Sequence, residues 1–308
     1  MAPKPKAALF LNPQTAGGRN RPEAAIAILA QQFELAVHAP CGIEAMRATV
    51  VRAIREGAGV VIAGGGDGTV NLVANAIADS VVVLGILPLG TANDFARHIG
   101  LPGDPTAAAR RIVEGRVRRY DALAANGCRF CTVGGIGLVT ECAVAAHRLK
   151  ARESLLGWCA TRLGTAIYPI VAAARISFGS HRPWPIKLSW KESDGTERAV
   201  PSMLSHGMFF TNQRRLGGSL TLSVNAQNDD GAFEICILHA TSRFSLAKTL
   251  LAARLARPLG RSVTTKTGIT RARIEAAQEI GFMGDGELLG TGKHFELEIL
   301  PGKLAVVG

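Results

Sequence analysis

Short apolar runs alternate with helical patterns over the first third of the chain. Ala7–Leu11, Leu35–His38, Val60–Ala63 and Val81–Leu87 are aliphatic runs that read as strands. Arg21–Phe33 reads as a helix with Pro22 near its first turn, and Glu44–Glu56 as a second, stopped by Gly57 and Gly59. Val70–Ala78 and Ala92–Ile99 read as helices that follow glycine-containing turns. The strands show little polar alternation, the pattern of strands covered on both faces. This β–α–β–α order predicts an α/β domain with an open sheet and helices on its faces.

Beyond Tyr120 the period changes. Asn126-Gly127 sits between two strand-like runs, a hairpin signal. Ile186, Leu188 and Trp190 alternate with Lys187, Ser189 and Lys191, and Asp194-Gly195 marks the next turn. Phe233, Ile235 and Ile237 alternate, as do Phe295, Leu297 and Ile299. Helical segments over Glu141–Ala174 and Ser245–Arg257 interrupt these strands. The expectation is a mostly antiparallel C-terminal β-sandwich or flattened barrel. The boundary falls near residue 122, and the crevice between the two parts is the expected active-site location.

Composition narrows the class. The chain has 308 residues, 47% hydrophobic and 19% charged, which suits two domains with a large core and excludes general disorder. It carries 35 Lys and Arg against 24 Asp and Glu, a net charge of +11, which favours an anionic partner. Aromatics are only 5%, and the Arg/aromatic interleaving of single-strand binders is sparse, so no nucleic-acid partner is expected. Ala7–Leu11 is too short for a signal peptide, and Arg162 and Pro169 interrupt the most lipid-like stretch, Leu155–Ile176. Six cysteines in a chain of this size read as reduced thiols, which places the protein in the cytoplasm. Cys128 and Cys131 have CxxC spacing, but no second pair accompanies them, so a zinc site is not expected.

The strongest local signal is Ala63-Gly64-Gly65-Gly66-Asp67-Gly68-Thr69-Val70-Asn71, between a predicted strand and a predicted helix. Three consecutive glycines let the backbone turn with positive φ and approach a ligand closely, and the amides at a helix N-terminus cradle phosphate oxygens. Thr69 can cap the helix or bind phosphate. Asp67 would repel phosphate unless a cation or hydrogen bonds intervene, which points to magnesium. The next strand ends in a similar turn, Pro88-Leu89-Gly90-Thr91-Ala92-Asn93-Asp94. No Gly-Lys-Ser/Thr follows the glycines, so this is not a Walker A loop. Gly135-Ile136-Gly137 mimics half of a dinucleotide fingerprint and reads as a β-turn.

These blocks resemble the diacylglycerol kinase catalytic-domain family, which includes bacterial soluble lipid kinases and sphingosine kinases, with NAD kinases as distant relatives. Leu11-Asn12-Pro13 with Gly17-Gly18, Gly65 through Thr69, Leu84–Arg97, Asp229-Asp230-Gly231 and Asp285-Gly286-Glu287 carry the resemblance. It implies that ATP binds mainly to the first domain, through Gly65, Gly66, Asp67, Gly68, Thr69, Val70, Asn71 and Thr91. It implies that the last residues, 297–308, return to the domain of residues 1–122, leaving residues 123–296 as the β-rich lipid-substrate domain. It also implies a Mg²⁺ site formed by the Asp230 carboxylate and the main-chain oxygens of Gln227 and Ala232. Two positions depart from the family pattern. Leu72 stands where many relatives have Glu, and Val37-His38-Ala39-Pro40 lacks the threonine often found near the second strand's end.

Phosphoryl transfer to an alcohol needs a proton acceptor near the hydroxyl and countercharge near the phosphates. Asp285 and Glu287 are both candidates for the acceptor, with Asp67 as a third catalytic carboxylate. Arg148, Lys150, Arg152, Arg162 and Arg175, with Trp158 and Tyr168, suit a peripheral contact with an anionic bilayer. The expected function is an ATP- and Mg²⁺-dependent lipid kinase at a membrane surface. A kinase of a soluble metabolite such as NAD, and a non-catalytic basic binding module, are the alternatives. A homodimer is left open.

Overall fold

The computed structural model describes residues 3–13, 21–78, 80–150, 167–178, 182–216, 220–221, 223 and 225–308. The chain divides into two compact units, Met1–Tyr120 with Gly302–Gly308, and Asp121–Pro301. Gly17-Gly18, Arg152, Trp158, Cys159 and Arg162 lie outside the described residues. None of the described helices is long and apolar enough to cross a membrane.

The first unit is a parallel sheet. Its strands are β1 (Lys6–Leu11), β2 (Glu34–His38), β3 (Val60–Gly65) and β4 (Val83–Pro88). They lie in the order β2-β1-β3-β4, all parallel. The chain's final residues add a further parallel strand, with Val306 opposite Leu84. Strand residues alternate between two buried faces. Leu9, Ile62 and Leu87 meet helices α1 (Glu23–Gln32) and α5 (Pro105–Glu114) through Ala25, Leu29, Ala108, Ala109 and Ile112. The alternate residues Ala8, Phe10, Val61, Ala63, Leu84 and Ile86 are equally buried. Two further helices, α2 (Ile43–Arg55) and α3 (Asp67–Ile77), bury Met46, Val50, Val70, Val73 and Ile77. A short helix, α4 (Asp94–His98), follows β4.

Helix α5 was not expected from the periodicity, although its punctuation is present. Asp104 caps it by accepting from the Ala107 amide at 2.8 Å, Pro105 opens it, and Gly115 closes it at φ 72°. Its buried residues, Pro105, Ala108, Ala109 and Ile112, also keep the i, i+3, i+4, i+7 spacing of an amphipathic helix, so the pattern was present in the sequence and was passed over.

The second unit is mostly antiparallel. Strand β5 (Val117–Ala125) enters it and turns through Asn126 and Gly127 into β6 (Cys128–Phe130). Both turn residues have positive φ, 48° and 79°, as a two-residue type I′ hairpin requires. Then come β7 (Val133–Gly137), β8 (Trp184–Glu192), β9 (Glu197–Thr211), a short ribbon of β10 (Arg215–Leu216) and β11 (Leu220–Thr221), β12 (Phe233–His239), β13 (Val263–Gly284) and β14 (Glu287–Val307). β12 pairs with both β9 and β13, and β7 with both β9 and β13, so the strands close on themselves. Their inner faces share one core built on Phe130, Met208, Phe210, Phe233, Ile274, Phe282 and Phe295. The helices of this unit are α6 (Leu138–Lys150), α7 (Ile167–Phe178) and α8 (Arg243–Arg254).

Gly135-Ile136-Gly137 is not the β-turn expected from its sequence. It ends β7 and passes directly into α6. Gly137 has φ 75°, and a Cβ there would lie 2.6 Å from the His206 carbonyl oxygen and 2.7 Å from Gly207 Cα. A backbone crossing between β7 and β9 requires the glycine. Cys128 is exposed and Cys131 is buried, with no disulfide between them.

Gly137→Ala combines a disfavoured φ with a backbone clash, so it is expected to cost about 2–4 kcal/mol in urea unfolding. Gly195 has φ 89° but open space around its Cβ position. Gly195→Ala is expected to cost only about 1 kcal/mol. Equal losses would contradict the crossing as the reason for Gly137.

Candidate active site

Strands β3 and β4 are adjacent and parallel, so they end at the same edge of the sheet. The register sets Gly65 opposite Pro88, and the amides of Leu89 and Gly90 donate to the Gly65 carbonyl at 3.1 and 3.3 Å. The two turns then touch backbone to backbone. A Cβ on Gly90 would lie 2.4 Å from Gly66 Cα, and one on Gly65 would lie 2.3 Å from Thr69 Oγ1. Glycine is obligatory here because of close approach, since neither residue has positive φ. Asn12, at the end of β1, joins the cluster by donating its Nδ2 hydrogen to Thr69 Oγ1 at 3.2 Å.

The first amides of α3, at Asp67, Gly68 and Thr69, have no preceding turn of helix to bond to. Of these, Gly68 and Thr69 are the donors this edge offers to an anion, since the Asp67 amide bonds its own carboxylate. Val70 offers none, because its side chain is in the core and its amide donates to the Gly66 carbonyl at 3.0 Å. Asn71 is buried, and its Oδ1 accepts from Asn75 Nδ2 at 2.7 Å. Thr91 is exposed on the second turn. His38, at the end of β2, stacks on Phe10 with ring centroids 5.1 Å apart.

Asp67 ties the two turns together. Its Oδ1 accepts from the Phe95 amide in α4 at 3.1 Å. Burial pushes its pKa up, and hydrogen bonds from the backbone at Phe95, Asp94 and Asn93 oppose that rise. The carboxylate therefore has a hydrogen-bonding partner at this edge that involves no cation.

In the second unit, Asp285 and Gly286 form the β13–β14 hairpin, at φ 50° and 89°, with Gly284 opposite Glu287. This is another type I′ turn. The two acids have different surroundings. Asp285 Oδ2 accepts from the Cys131 amide at 2.7 Å; Oδ1 accepts from the amides of Thr132 at 2.7 Å and Val133 at 3.3 Å. The Thr132 hydroxyl donates to the same oxygen. The Asp285 amide returns a bond to the Val133 carbonyl at 2.9 Å. Glu287 is exposed. Asp285 thus fastens the hairpin to the chain entering β7, and its charge raises the already elevated pKa of buried Cys131. Tyr168 on α7 reaches the same turn, its hydroxyl 3.7 Å from where a Cβ on Gly286 would lie. The sequence grouped Tyr168 with the membrane-facing aromatics.

The Asp230 loop is also more elaborate than its motif. Asp230 Oδ1 accepts from the Ala232 amide at 3.1 Å, and Gln227 and Ala232 line the same cavity, about 200 Å³ in volume. Asp121, buried at the start of the unit, accepts from the Gly231 amide at 2.7 Å and donates its own amide to the Asn228 carbonyl. Glu234 and Asn212 line the cavity too. Glu234 Oε2 and Asn212 Oδ1 are buried without a hydrogen-bond partner. Desolvation raises the pKa of Asp230, and Asp121 and Asp229 add to the rise. Desolvation also raises that of Glu234, with Asp230 contributing. Among the described residues, no three His, Cys, Asp or Glu side chains form a metal-binding group. A cation here would rest on mixed oxygens: one or two carboxylates, a side-chain amide and main-chain carbonyls, a donor set that suits a hard ion. Asp121, Asn212 and Glu234 lie in no motif, so no local pattern marks them.

Comparison with known proteins agrees with this architecture. Residues 6–125 match the family model of the diacylglycerol kinase catalytic domain. Residues 155–308 match that of the YegS C-terminal NAD kinase beta sandwich-like domain. Together with the fold, these matches define a kinase with an α/β unit and a β-sandwich unit. The chain belongs to the diacylglycerol kinase catalytic-domain family. It is 31% identical to a Pseudomonas aeruginosa protein named "Probable lipid kinase YegS-like", over 98% of this chain and 94% of that one. It is 29% identical to the Bacillus subtilis diacylglycerol kinase, over 84% and 80% of the two chains. A crystal structure of a Bacillus anthracis diacylglycerol kinase superimposes with a TM-score of 0.71 at 20% identity, covering 98% of this chain and 96% of that one.

Asp285→Ala strands three backbone amides and a hydroxyl. It is expected to cost about 2–4 kcal/mol in urea unfolding, while Glu287→Gln changes stability by less than about 0.5 kcal/mol. A neutral Asp285→Ala would show that the hairpin does not depend on its carboxylate.

Proposed function

We propose that this chain transfers the γ-phosphoryl group of ATP to the hydroxyl of a diacylglycerol-like lipid at a membrane surface. The observation that carries the reading is the pair of glycine turns packed Gly66 on Gly90 beside the amides that open α3. A Cβ on Gly90 would collide with Gly66, and the chemistry such a cradle supports is phosphate binding. The lipid class follows from the relatives, which are named lipid and diacylglycerol kinases.

In this reading the amides of Gly68 and Thr69 hold the phosphates, and Asp67 fixes their direction through its bond to Phe95. Glu287 is the proton acceptor: it orients the lipid hydroxyl and takes its proton late, as the new P–O bond forms. Asp285 is the positioning residue, because its oxygens are already committed to the chain before β7. The orphaned oxygens of Glu234 and Asn212 suit Mg²⁺ beside Asp230, Gln227 and Ala232. When bound there, the ion supplies countercharge to carboxylates that otherwise repel one another.

Transfer of label from γ-labelled ATP into extracted diacylglycerol is expected with the native chain. Glu287→Gln is expected to lower kcat about 100-fold or more with an unchanged Tm. Gly90→Ala is expected to abolish nucleotide binding in calorimetry. Full turnover by Glu287→Gln would remove the proposed acceptor. Label found only in the aqueous phase, on a soluble metabolite, would replace the lipid.

Millimolar Mg²⁺ is expected to raise the Tm of the full chain. Asp230→Asn is expected to abolish the rise, and Glu234→Gln to reduce it. An identical rise in both variants would place the ion elsewhere.

A further inference from the structure

Helix α8 (Arg243–Arg254) has two apolar stripes. Leu246, Leu250 and Ala253 pack inward; the two leucines join a cluster with Val171, Ile176 and Leu238. Phe244, Leu251 and Leu255 project from the other side, with exposures of 70%, 59% and 52%. Phe244, Lys248, Leu251 and Leu255 are spaced i, i+4, i+7 and i+11, so they form one line, about 200° around the helix from the packed stripe. The side-chain nitrogen of Lys248 sits 4.5 Å from the Phe244 ring centroid, its stem running along the stripe. Arg243 donates to the Ser177 carbonyl at 3.1 Å. That bond brings the end of α7, with Phe178 at 90% exposure, beside the first turn of α8.

Along the chain, the charge of this segment has one sign. Between Glu234 and Glu275 the chain has no acidic residue, and it carries Arg243, Lys248, Arg254, Arg257 and Arg261 on or just after α8. All five are exposed. The basic residues expected to meet a membrane, Arg148, Lys150, Arg152, Arg162 and Arg175, lie earlier in the chain. Arg175 pairs with Glu141 at 3.4 Å, and residues 151–166 lie outside the described structure.

We propose that the exposed face of α8, with Phe178, is the surface by which the protein docks on an anionic bilayer. Phe244, Leu251, Leu255 and Phe178 enter the headgroup–acyl boundary, while Lys248 and the arginines reach lipid phosphates. A second copy of the chain fits this face poorly, because it would set like charge against like charge. The proposal rests on the lipid-kinase reading only in naming where an insoluble substrate is met.

The test is flotation of the full chain with vesicles of phosphatidylcholine, alone or with about one third phosphatidylglycerol. Binding is expected to the mixed vesicles only, falling as salt rises. The triple variant Phe244→Ser/Leu251→Ser/Leu255→Ser is expected to bind at least about tenfold more weakly. The double variant Arg254→Glu/Arg257→Glu is expected to lose the preference for phosphatidylglycerol. These side chains are exposed, so both variants should unfold within a few degrees of the native chain. Phosphorylation of a short-chain, water-dispersed diacylglycerol without vesicles separates the two readings. Variants that keep this activity and lose vesicle binding support the docking face. Loss of vesicle binding with no lipid phosphorylated even by the native chain overturns the substrate and leaves the face standing. Unchanged vesicle binding by the triple variant overturns the face. So does a native dimer in light scattering that the triple variant dissociates while vesicle binding persists.

Discussion

The close approach of Gly66 to Gly90 is the constraint on which the first unit's chemistry depends. Parallel pairing of β3 with β4 brings two strand ends to one edge, but neighbouring turns normally hold each other apart by their side chains. Here the Cβ position of Gly90 is occupied by the Gly66 backbone. The Gly65 carbonyl collects two amides from the second turn, and Asp67 reaches across to the amide of Phe95. Three independent links therefore set the direction of the amides that open α3. Preorganisation of this kind matters because a phosphate site works by donors that need not move when charge arrives. Asp67 pays the desolvation cost, visible in its raised pKa, and its backbone bonds offset part of it.

The second unit solves a similar problem with a different group. A type I′ turn fixes the path of the chain at Asp285 and Gly286, but a hairpin tip is free to swing. The Asp285 carboxylate removes that freedom by holding successive amides before β7. Glu287, two residues on, remains exposed on a tip that is now anchored. One acid is committed to geometry, which is why the proposed reading gives the other the proton. The division follows from hydrogen bonding alone.

The sequence made much of this legible. The strands β1 to β4 and their helices were readable from aliphatic runs and glycine punctuation. The Asn126-Gly127 and Asp285-Gly286 turns were readable because type I′ geometry demands those residue pairs. Other features were hidden for physical reasons. Helix α5 is not one of these, since its Asp104-Pro105 start, Gly115 stop and i, i+3, i+4, i+7 stripe all stand in the sequence. The strand-to-helix passage at Gly137 depends on a backbone crossing from β9, some seventy residues away in sequence. The choice between Asp285 and Glu287 depends on amides over 150 residues earlier. Asp121, Asn212 and Glu234 converge on the Asp230 loop from three separate strands or strand ends, and no local pattern encodes that meeting.

The formal charge also understates what solvent meets. Asp121 and Glu234 are buried, and Asp67 and Asp285 are engaged by backbone amides, whereas no lysine or arginine is among the buried residues described. Negative charge is thus drawn inward, where burial and hydrogen bonds determine its state, and positive charge is left outside. A net charge of +11 counted along the chain becomes a surface more cationic than that number. Within that surface, the stretch from Arg243 to Arg261 combines basic groups with exposed Phe and Leu. Charge alone attracts any polyanion. Charge laid beside an unpartnered apolar line selects an anionic surface that also has an interior to enter, and among biological polyanions that description fits a lipid bilayer.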